Sequence, residues 1–427
     1  MLGTKIQQRH LLGWIILLPL ITVMACGQPN ASNRATQRPM SLATPTLLPS
    51  GTATPAPPAG MGWKSVDFPH GDGNVNTIAF APSAPATAYT CANSGGTRGP
   101  LALGASHDGG HTWQFHTTAI PDSDCHIAVS SIDPQTMALQ ADWNLCILDG
   151  CTTQAEDVYI THDGGHDWKL MPPPEGVPSF GAGFYDNDMV WIGSTLFIAA
   201  GLSVTPSNPK GTYSNLIAAS VNGAPFVSVG QSFVDSLPST SLPSFYSAGD
   251  TLYIHLPGAQ SASDPLAATY VKTDAYATAL TPVTFRYQAQ QVYLVAGGNS
   301  SNLLFGQLVT LNAAKTQYQI GSTLSSKDGG ATWNPLPPFP AALDCCAVDY
   351  LFVAPDGPII AEAQTHAPDQ NYVTTGVFVL DPGASRWRYV SSPPEGTNIL
   401  TVSVDGTGRP IALWTLALPG LKFHSLS

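Results

Sequence analysis

The sequence predicts an all-β chain folded as a single seven-bladed β-propeller, with four antiparallel strands to a blade. Three observations lead there. Charged residues make up only 10% of the 427 positions, whereas 40 Gly and 38 Pro imply many turns and little helix. Amphipathic helical periodicity is almost absent, and short β-branched and aromatic runs such as VNTIAFA (75–81) and DYLFVAP (349–355) are bounded by Gly, Pro, Asn and Asp. Finally, one eight-residue segment recurs, as SHDGGHTW at 106–113, THDGGHDW at 161–168 and SKDGGATW at 326–333. Its Asp residues, Asp108, Asp163 and Asp328, are separated by 55 and 165 residues, and the second gap is three times the first. A repeat near 50 residues is the signature of a propeller or a related array.

The chain begins with what reads as an address. Lys5, Arg9 and His10 precede the apolar run LLGWIILLPLITVMA, which ends directly at Cys26. A basic segment, an apolar core and a small residue before the cut describe a secretory signal. VMAC also resembles a bacterial lipobox, which implies that residues 1–25 are a lipoprotein signal peptide and that Cys26 carries lipid. Residues 26–62 are rich in Pro, Thr, Ser and Ala and cannot bury a core, so they are expected to be a disordered tether. Residues 63–427 are then the propeller. It would be anchored on the outer side of the cytoplasmic membrane, at the cell surface, and touch the membrane through the lipid alone.

The spacing of 165 residues asks for two eroded copies of the repeat. SVNGAPF (220–226) offers Asn222 and Phe226 in the roles of the Asp and the Trp, and VKTDAYATALTPV (271–283) offers Asp274 without an aromatic partner. A further copy, LDPGASRW (380–387), carries one inserted residue. Each copy runs into an outer strand, which makes six. A seventh outer strand, WKSVDFP (63–69), follows the tether, while the C-terminal ILTVSVDGTGRPIALWTLALPGLKFHSL reads as three strands lacking a fourth. Joining the two ends closes the ring and removes the open sheet edges. Innermost strands are expected at VNTIAFAP, HIAVSSIDP, DMVWIG, SFYSAGD, QQVYLVAGG, VDYLFVAPDG and ILTVSVDG.

These repeats resemble the Asp-box, or BNR, repeat of sialidase-like propellers, whose pattern is Ser/Thr-x-Asp-x-Gly-x-Thr-Trp. In that family the box is the hairpin between the third and fourth strands of a blade. The resemblance covers nearly everything after residue 62, and six blades, the number in sialidase catalytic domains, is the alternative count. It assigns Asp108, Trp113, Asp163, Trp168, Asp328 and Trp333 to a structural role. The physical reason is local, because an Asp can accept hydrogen bonds from its own turn, Gly accepts positive φ and Trp packs on the blade. The layout is also similar to the seven-bladed photosystem II assembly factor-like lipoproteins. Those present an arginine patch that this sequence is too poor in arginine to build.

Function is less legible. A sialidase-like site needs an arginine cluster, a Tyr nucleophile paired with Glu, and an Asp acid/base. After the tether the chain has Arg98, Arg286, Arg386, Arg388 and Arg409, and the last two before 409 flank a box Trp. Tyr350 and Glu362 fall in one blade. No Cys-x-x-Cys or Gly-x-Ser-x-Gly motif is present. His107 and His111, like His162 and His166, are four apart but sit in a tight hairpin rather than on a helix face, so no metal and no cofactor is expected. Nucleic acid is disfavoured by 12 Lys and Arg against 28 Asp and Glu after residue 62. What remains is a recognition or scaffold module, monomeric, with a protein or glycan partner. A sialidase-type glycoside hydrolase is the rival. Trp143, Trp191 and Trp414 could stack on sugars or fill strand cores.

Beyond Cys26 the cysteines form an even set: Cys91, Cys125, Cys146, Cys151, Cys345 and Cys346. In an exported protein that favours disulfides. The blade plan puts Cys91 at the end of a second strand. Cys125 and Cys345 then open first strands, each directly after an acid, Asp124 or Asp344. Cys146 and Cys151 fall in a loop between second and third strands. The expected pairs are Cys91–Cys125 between adjacent blades, Cys146–Cys151 as a loop staple and Cys345–Cys346 as a vicinal pair, with free thiols or a cross-link elsewhere as the alternative for the last two. All six would lie on the face opposite the boxes, which makes Asp124 and Asp344 candidates for the binding face.

Overall fold

In the computed structural model the described residues are 63–66, 75–92, 100–121, 124–147, 150–175, 189–202, 214–230, 243–256, 269–276, 279–298, 300–311, 318–339, 347–353, 358–365, 373–391, 397–404, 410–416 and 423–426. They form seven antiparallel sheets, six of four strands and one of five. After β1 (Trp63–Val66), blade 1 comprises β2 (Val75–Ala81), β3 (Ala84–Ala92), β4 (Pro100–Ser106) and β5 (Gln114–Pro121). Blade 2 comprises β6 (Asp124–Val129), β7 (Met137–Ile147), β8 (Gly150–Thr161) and β9 (Lys169–Met171). Blade 3 comprises β10 (Met189–Ile192), β11 (Thr195–Leu202), β12 (Ser214–Val221) and β13 (Val227–Ser228). Blade 4 comprises β14 (Ser244–Ala248), β15 (Thr251–Leu256), β16 (Thr269–Asp274) and β17 (Thr281–Val283).

Blade 5 comprises β18 (Arg286–Tyr287), β19 (Gln290–Gly297), β20 (Leu304–Leu311), β21 (Tyr318–Ser326) and β22 (Asn334–Pro335). Blade 6 comprises β23 (Ala347–Val353), β24 (Ile359–Thr365), β25 (Val373–Leu380) and β26 (Arg388–Ser391). Blade 7 joins β27 (Thr397–Val404), β28 (Pro410–Leu416) and β29 (Phe423–Leu426) to β1.

The ring is closed in two ways. The inner strands touch in the order β2, β6, β10, β14, β19, β23, β27 and back to β2. The two ends of the propeller also pair, with Trp63 opposite Leu426 and Val66 opposite Phe423. The outermost strand of the last blade is thus the first strand in sequence, as the missing fourth strand predicts. A fifth strand in blade 5 was not expected. Gln288 and Ala289 have φ of +49° and +65° and make a two-residue turn that folds β18 back on the inner edge of β19.

Both faces of a blade are apolar because each packs on a neighbour. Along β7, Met137, Leu139 and Ala141 join the core shared with blade 1, whereas Ala138 joins the core shared with blade 3. Along β11, Leu196 and Ile198 face blade 2 while Phe197 faces blade 4. The core therefore lies in the seams between blades, and no blade could bury it alone. The seam between blades 1 and 2 is also covalent, because a disulfide joins Cys91 of β3 to Cys125 of β6, 34 residues on. Closing a loop of that length is worth about 4 kcal/mol on chain-entropy grounds.

Candidate functional site

The repeated hairpins join the last two strands of blades 1, 2 and 5, and each carboxylate is spent within its own turn. Asp108 accepts bonds from the Ser106 hydroxyl at 2.9 Å, the Thr112 N–H at 2.9 Å and the Thr112 hydroxyl at 2.6 Å. Ser106 in turn accepts the Gly110 N–H at 2.8 Å. Asp328 repeats the pattern with Ser326 at 2.8 Å, the Thr332 N–H at 2.8 Å and the Thr332 hydroxyl at 2.5 Å. Asp163 takes Thr161 at 2.6 Å, with His166 and Asp167 supplying backbone N–H groups at 3.0 and 3.1 Å.

These bonds favour the ionised form. Partial burial alone would raise Asp108, but the bonds from Thr112 and Ser106 outweigh it and hold its carboxyl below the ordinary range. The Thr161 hydroxyl does the same to Asp163. Asp328 is pulled down to about 2, first by the Thr332 hydroxyl and then by the Thr332 N–H.

Two contacts tie each hairpin to the ring. The N–H after the Asp reaches back to the inner end of the same blade: Gly109 to Ala86 O, near the start of β3, Gly164 to Gln135 O in the β6–β7 turn and Gly329 to Asn302 O in the β19–β20 turn, at 2.7–3.0 Å. The inner turns and the repeated hairpins therefore share one face. The second contact is with the preceding blade. Gly165 and Gly330, with φ of +92° and +90°, press against it so closely that a Cβ would lie 2.1 Å from Leu103 and 2.3 Å from Phe285. Trp168 packs into the seam with blade 1, and Trp333 meets Phe285 edge-on at 5.8 Å in the seam with blade 4. The Trp is thus a plug between blades. The hairpin histidines are not simply solvated: His166 stacks on His116 of blade 1 at 5.2 Å, and His162 bonds Thr136 at 3.0 Å.

The eroded copies correct one expectation. Asn222 does not stand in for the box Asp; with φ of +53° and Gly223 at +70°, it makes a two-residue turn closed by Ala224 N–H to Val221 O at 3.0 Å. Phe226 does hold the plug position, buried in the seam between blades 2 and 3. In blade 4, Asp274 caps the Tyr276 N–H at 3.0 Å, and Leu280 packs into the seam with blade 3. In blade 6, Trp387 stacks on Phe339 at 4.6 Å and bonds Pro337 O at 2.8 Å.

Other sequence-derived candidates divide. Cys146 and Cys151 are direct cross-strand partners on β7 and β8, so they lie on an extended hairpin rather than in a loop. Asp124 opens β6 opposite Asp142. Cys26, Asp344, Cys345 and Cys346 lie outside the described residues. Trp191 is buried and its indole N–H is bonded to Ala128 O at 3.1 Å, which makes it core rather than a sugar platform. Trp143 and Trp414 sit on β7 and β28. Tyr350 and Glu362 are opposite each other on β23 and β24, and Glu362 is buried. Arg386 and Arg388 lie on the outer hairpin of blade 6, where Arg388 pairs with Asp381 at 3.6 Å. Between blades 4 and 5, His255 lies 5.0 Å from the Tyr270 ring, and burial lowers the pKa of the imidazole. Tyr270 accepts the Leu294 N–H beside a bulge in β19 at 3.0 Å, which is a structural task.

One feature was invisible in the sequence. A cavity of about 480 Å³ opens at the centre of the face that carries the repeated hairpins. Its walls come from β6 and β10 and from the inner turns of blades 1, 2, 4 and 5: Pro82, Ile132, Met189 and Val190 on the apolar side, Ser247 and Asp250 on the polar side. Ile132 is 63% exposed there. Among the described residues no group of three or more His, Cys, Asp or Glu is placed to hold a metal ion.

No protein-family model matches the chain, and no curated protein matches it. Solved structures do. YCF48 from Cyanidioschyzon merolae is 12% identical, with a TM-score of 0.51 over 85% of this chain and 98% of that one. The β-propeller domain of the Trilobed protease from Pyrococcus furiosus is 8% identical, with a TM-score of 0.49 over 83% and 96%. The GH74 enzyme of Niastella koreensis is 15% identical, with a TM-score of 0.45; 81% of this chain is covered but only 51% of that one. The likeness is one of fold, and together with the closed ring of seven sheets it makes this chain a β-propeller.

Proposed function

We propose that this chain is an extracytoplasmic, lipid-anchored propeller that recognises a protein or glycan partner as a monomer and performs no chemistry on it. Residues 1–25 serve as the signal, Cys26 as the lipid anchor and residues 26–62 as the tether of a propeller of the Asp-box type. The observation that carries the recognition reading is the central cavity. A concave site that sets polar groups among apolar ones, built on inner strands, is the usual form of a binding site. The repeated Asp residues support it indirectly: their bonds are all used in holding turns, which leaves the ring as scaffold.

A glycoside hydrolase is the second reading, favoured by the register pair Tyr350–Glu362 and the burial of Glu362. It lacks support for the arginine cluster, since Arg386 and Arg388 are on an outer hairpin. Cys146 and Cys151 are proposed as a hairpin staple on the strength of their register.

The test has two arms. Cys26→Ser should release the protein from the membrane fraction or leave it unprocessed, and a wild type found wholly in the medium would sink the anchor. The full chain should bind saturably on a peptide or glycan array without hydrolysing a fluorogenic sialoside. Turnover that Glu362→Gln abolishes would reverse the choice of reading.

A further inference from the structure

The central cavity holds information about its occupant. Its lining mixes the aliphatic Pro82, Ile132, Met189 and Val190 with Ser131, Ser247 and Asp250, and the one aromatic ring in it, Trp191, has its N–H committed to Ala128 O. Sugars are gripped by exposed aromatic faces, which this wall does not offer. Ile132 stands 63% exposed at the mouth, an apolar group left in water unless something covers it.

Charge narrows the choice further. Among the described residues, the inner turns of blades 1 to 5 contain two carboxylates, Asp133 and Asp250, and no Lys, Arg or His. Asp250 is exposed on the cavity rim and makes no ion pair; the one ion pair among the described residues, Arg388–Asp381, is on the outer hairpin of blade 6. The hairpin carboxylates Asp108, Asp163 and Asp328 lie on the same face, held ionised by their turns. Those hairpins also carry Lys327 and the histidines His107, His111, His162 and His166, so the charge that bears on the mouth itself is Asp250, at the rim of a cavity lined in part by aliphatic side chains.

We infer that the cavity receives one large apolar side chain from a cationic segment of a partner protein, with a flanking lysine or arginine set against Asp250. This rests on the recognition reading above and specifies its partner. The anchor would supply affinity by leaving water, and the carboxylate would supply orientation and on-rate.

The experiment uses the full chain and a peptide array. In one set a single Leu, Ile, Met or Phe is flanked by Lys and Arg; in a second the centre is Ala; in a third the flanks are Glu. A glycan array is run beside it. The cationic set with an apolar centre should bind, and the Ala-centred set should bind roughly tenfold weaker or worse, as expected for losing one buried side chain. Asp250→Asn should weaken binding about threefold and flatten its salt dependence, as for a rim charge. Ile132→Ser should weaken it further, with an unchanged melting temperature showing that the variant is folded. Equal binding of the Ala-centred or Glu-flanked peptides would overturn the inference. Binding to glycans alone would overturn it too but leave the recognition reading standing; no binding on either array would remove both.

Discussion

Blades 1, 2 and 5 close their outer hairpins with an eight-residue loop built around an Asp, whereas blade 3 closes the same hairpin with a loop one residue shorter that opens on an Asn–Gly turn. The four loops do the same job by different means. All send a backbone N–H back to their own blade, Gly109 to the start of β3 and Gly164, Gly329 and, in blade 3, Asn222 to the inner turn, the last to Ser194 O at 3.0 Å. All four are followed by an aromatic residue that enters the blade: Trp113, Trp168, Trp333 and Phe226. Trp168, Trp333 and Phe226 lie in the seam with the preceding blade. What blade 3 has given up is the carboxylate and its hydrogen bonds. The ring therefore depends on the plug and on the backbone bond, and the Asp is one of several ways to shape the turn between them.

That ranking can be broken by experiment. The largest effect should come from the plugs. Trp387→Ala in blade 6 removes a stacked ring from the seam with blade 5, at an expected cost of about 4 kcal/mol, and Phe226→Ala in blade 3 should cost about 3–4 kcal/mol. Thermal or urea unfolding measures both. A smaller cost for either than for a hairpin Asp would reverse the order proposed here.

Next come the turns. Asp108→Ala strips the Thr112 and Ser106 bonds from blade 1 and should cost about 1–3 kcal/mol. Asn222→Ala leaves the backbone bonds in place and pays mainly for a side chain at positive φ, about 1 kcal/mol. Equal losses at the two sites would mean that the carboxylate network is idle.

The smallest effect should be a dependence on pH. Asp328 titrates lower in the folded chain than its ordinary value of 3.8, at about 2. A depressed folded pKa stabilises fully above the unfolded value and loses that contribution as pH falls through the folded one. Melting temperature should therefore fall between about pH 4 and 2, and Asp328→Asn should flatten part of that slope. Blade 3 has no carboxylate at this position, so the protection factor of the Asn222 amide, after correction for intrinsic exchange, should stay constant over the same range. Protection there that tracked Asp328 would show that the hairpins are coupled around the ring.

Much of the fold could be read from residues whose task is local. Asp328, Gly329, Gly330 and Trp333 announce a particular hairpin wherever they occur, because the carboxylate, the two positive φ angles and the ring all act within eight residues. The spacing of three such hairpins then carried the blade count and the position of the inner strands, apart from β18 on the inner edge of blade 5. The Cys91–Cys125 link followed once those positions were known, since the end of one second strand meets the start of the next first strand. Asn222 was misread for a physical reason: Asn and Asp look interchangeable in a pattern, but Asn tolerates positive φ and made a shorter turn. The fifth strand of blade 5 was missed because Gln288 and Ala289 lack the Asn or Gly that usually marks such a turn.

By itself, then, the sequence determined the repeating unit, its copy number and the closure of its two ends, because hydrogen bonding and side-chain periodicity within a blade are properties of neighbouring residues. Only the tertiary structure decided where a ligand could sit. Pro82, Ile132, Val190 and Asp250 come from four blades and from residues more than 160 positions apart, and they meet only when the ring closes. No local pattern distinguishes Ile132 from the buried isoleucines around it; its exposure at the mouth of the cavity is decided by the curvature of all seven blades together.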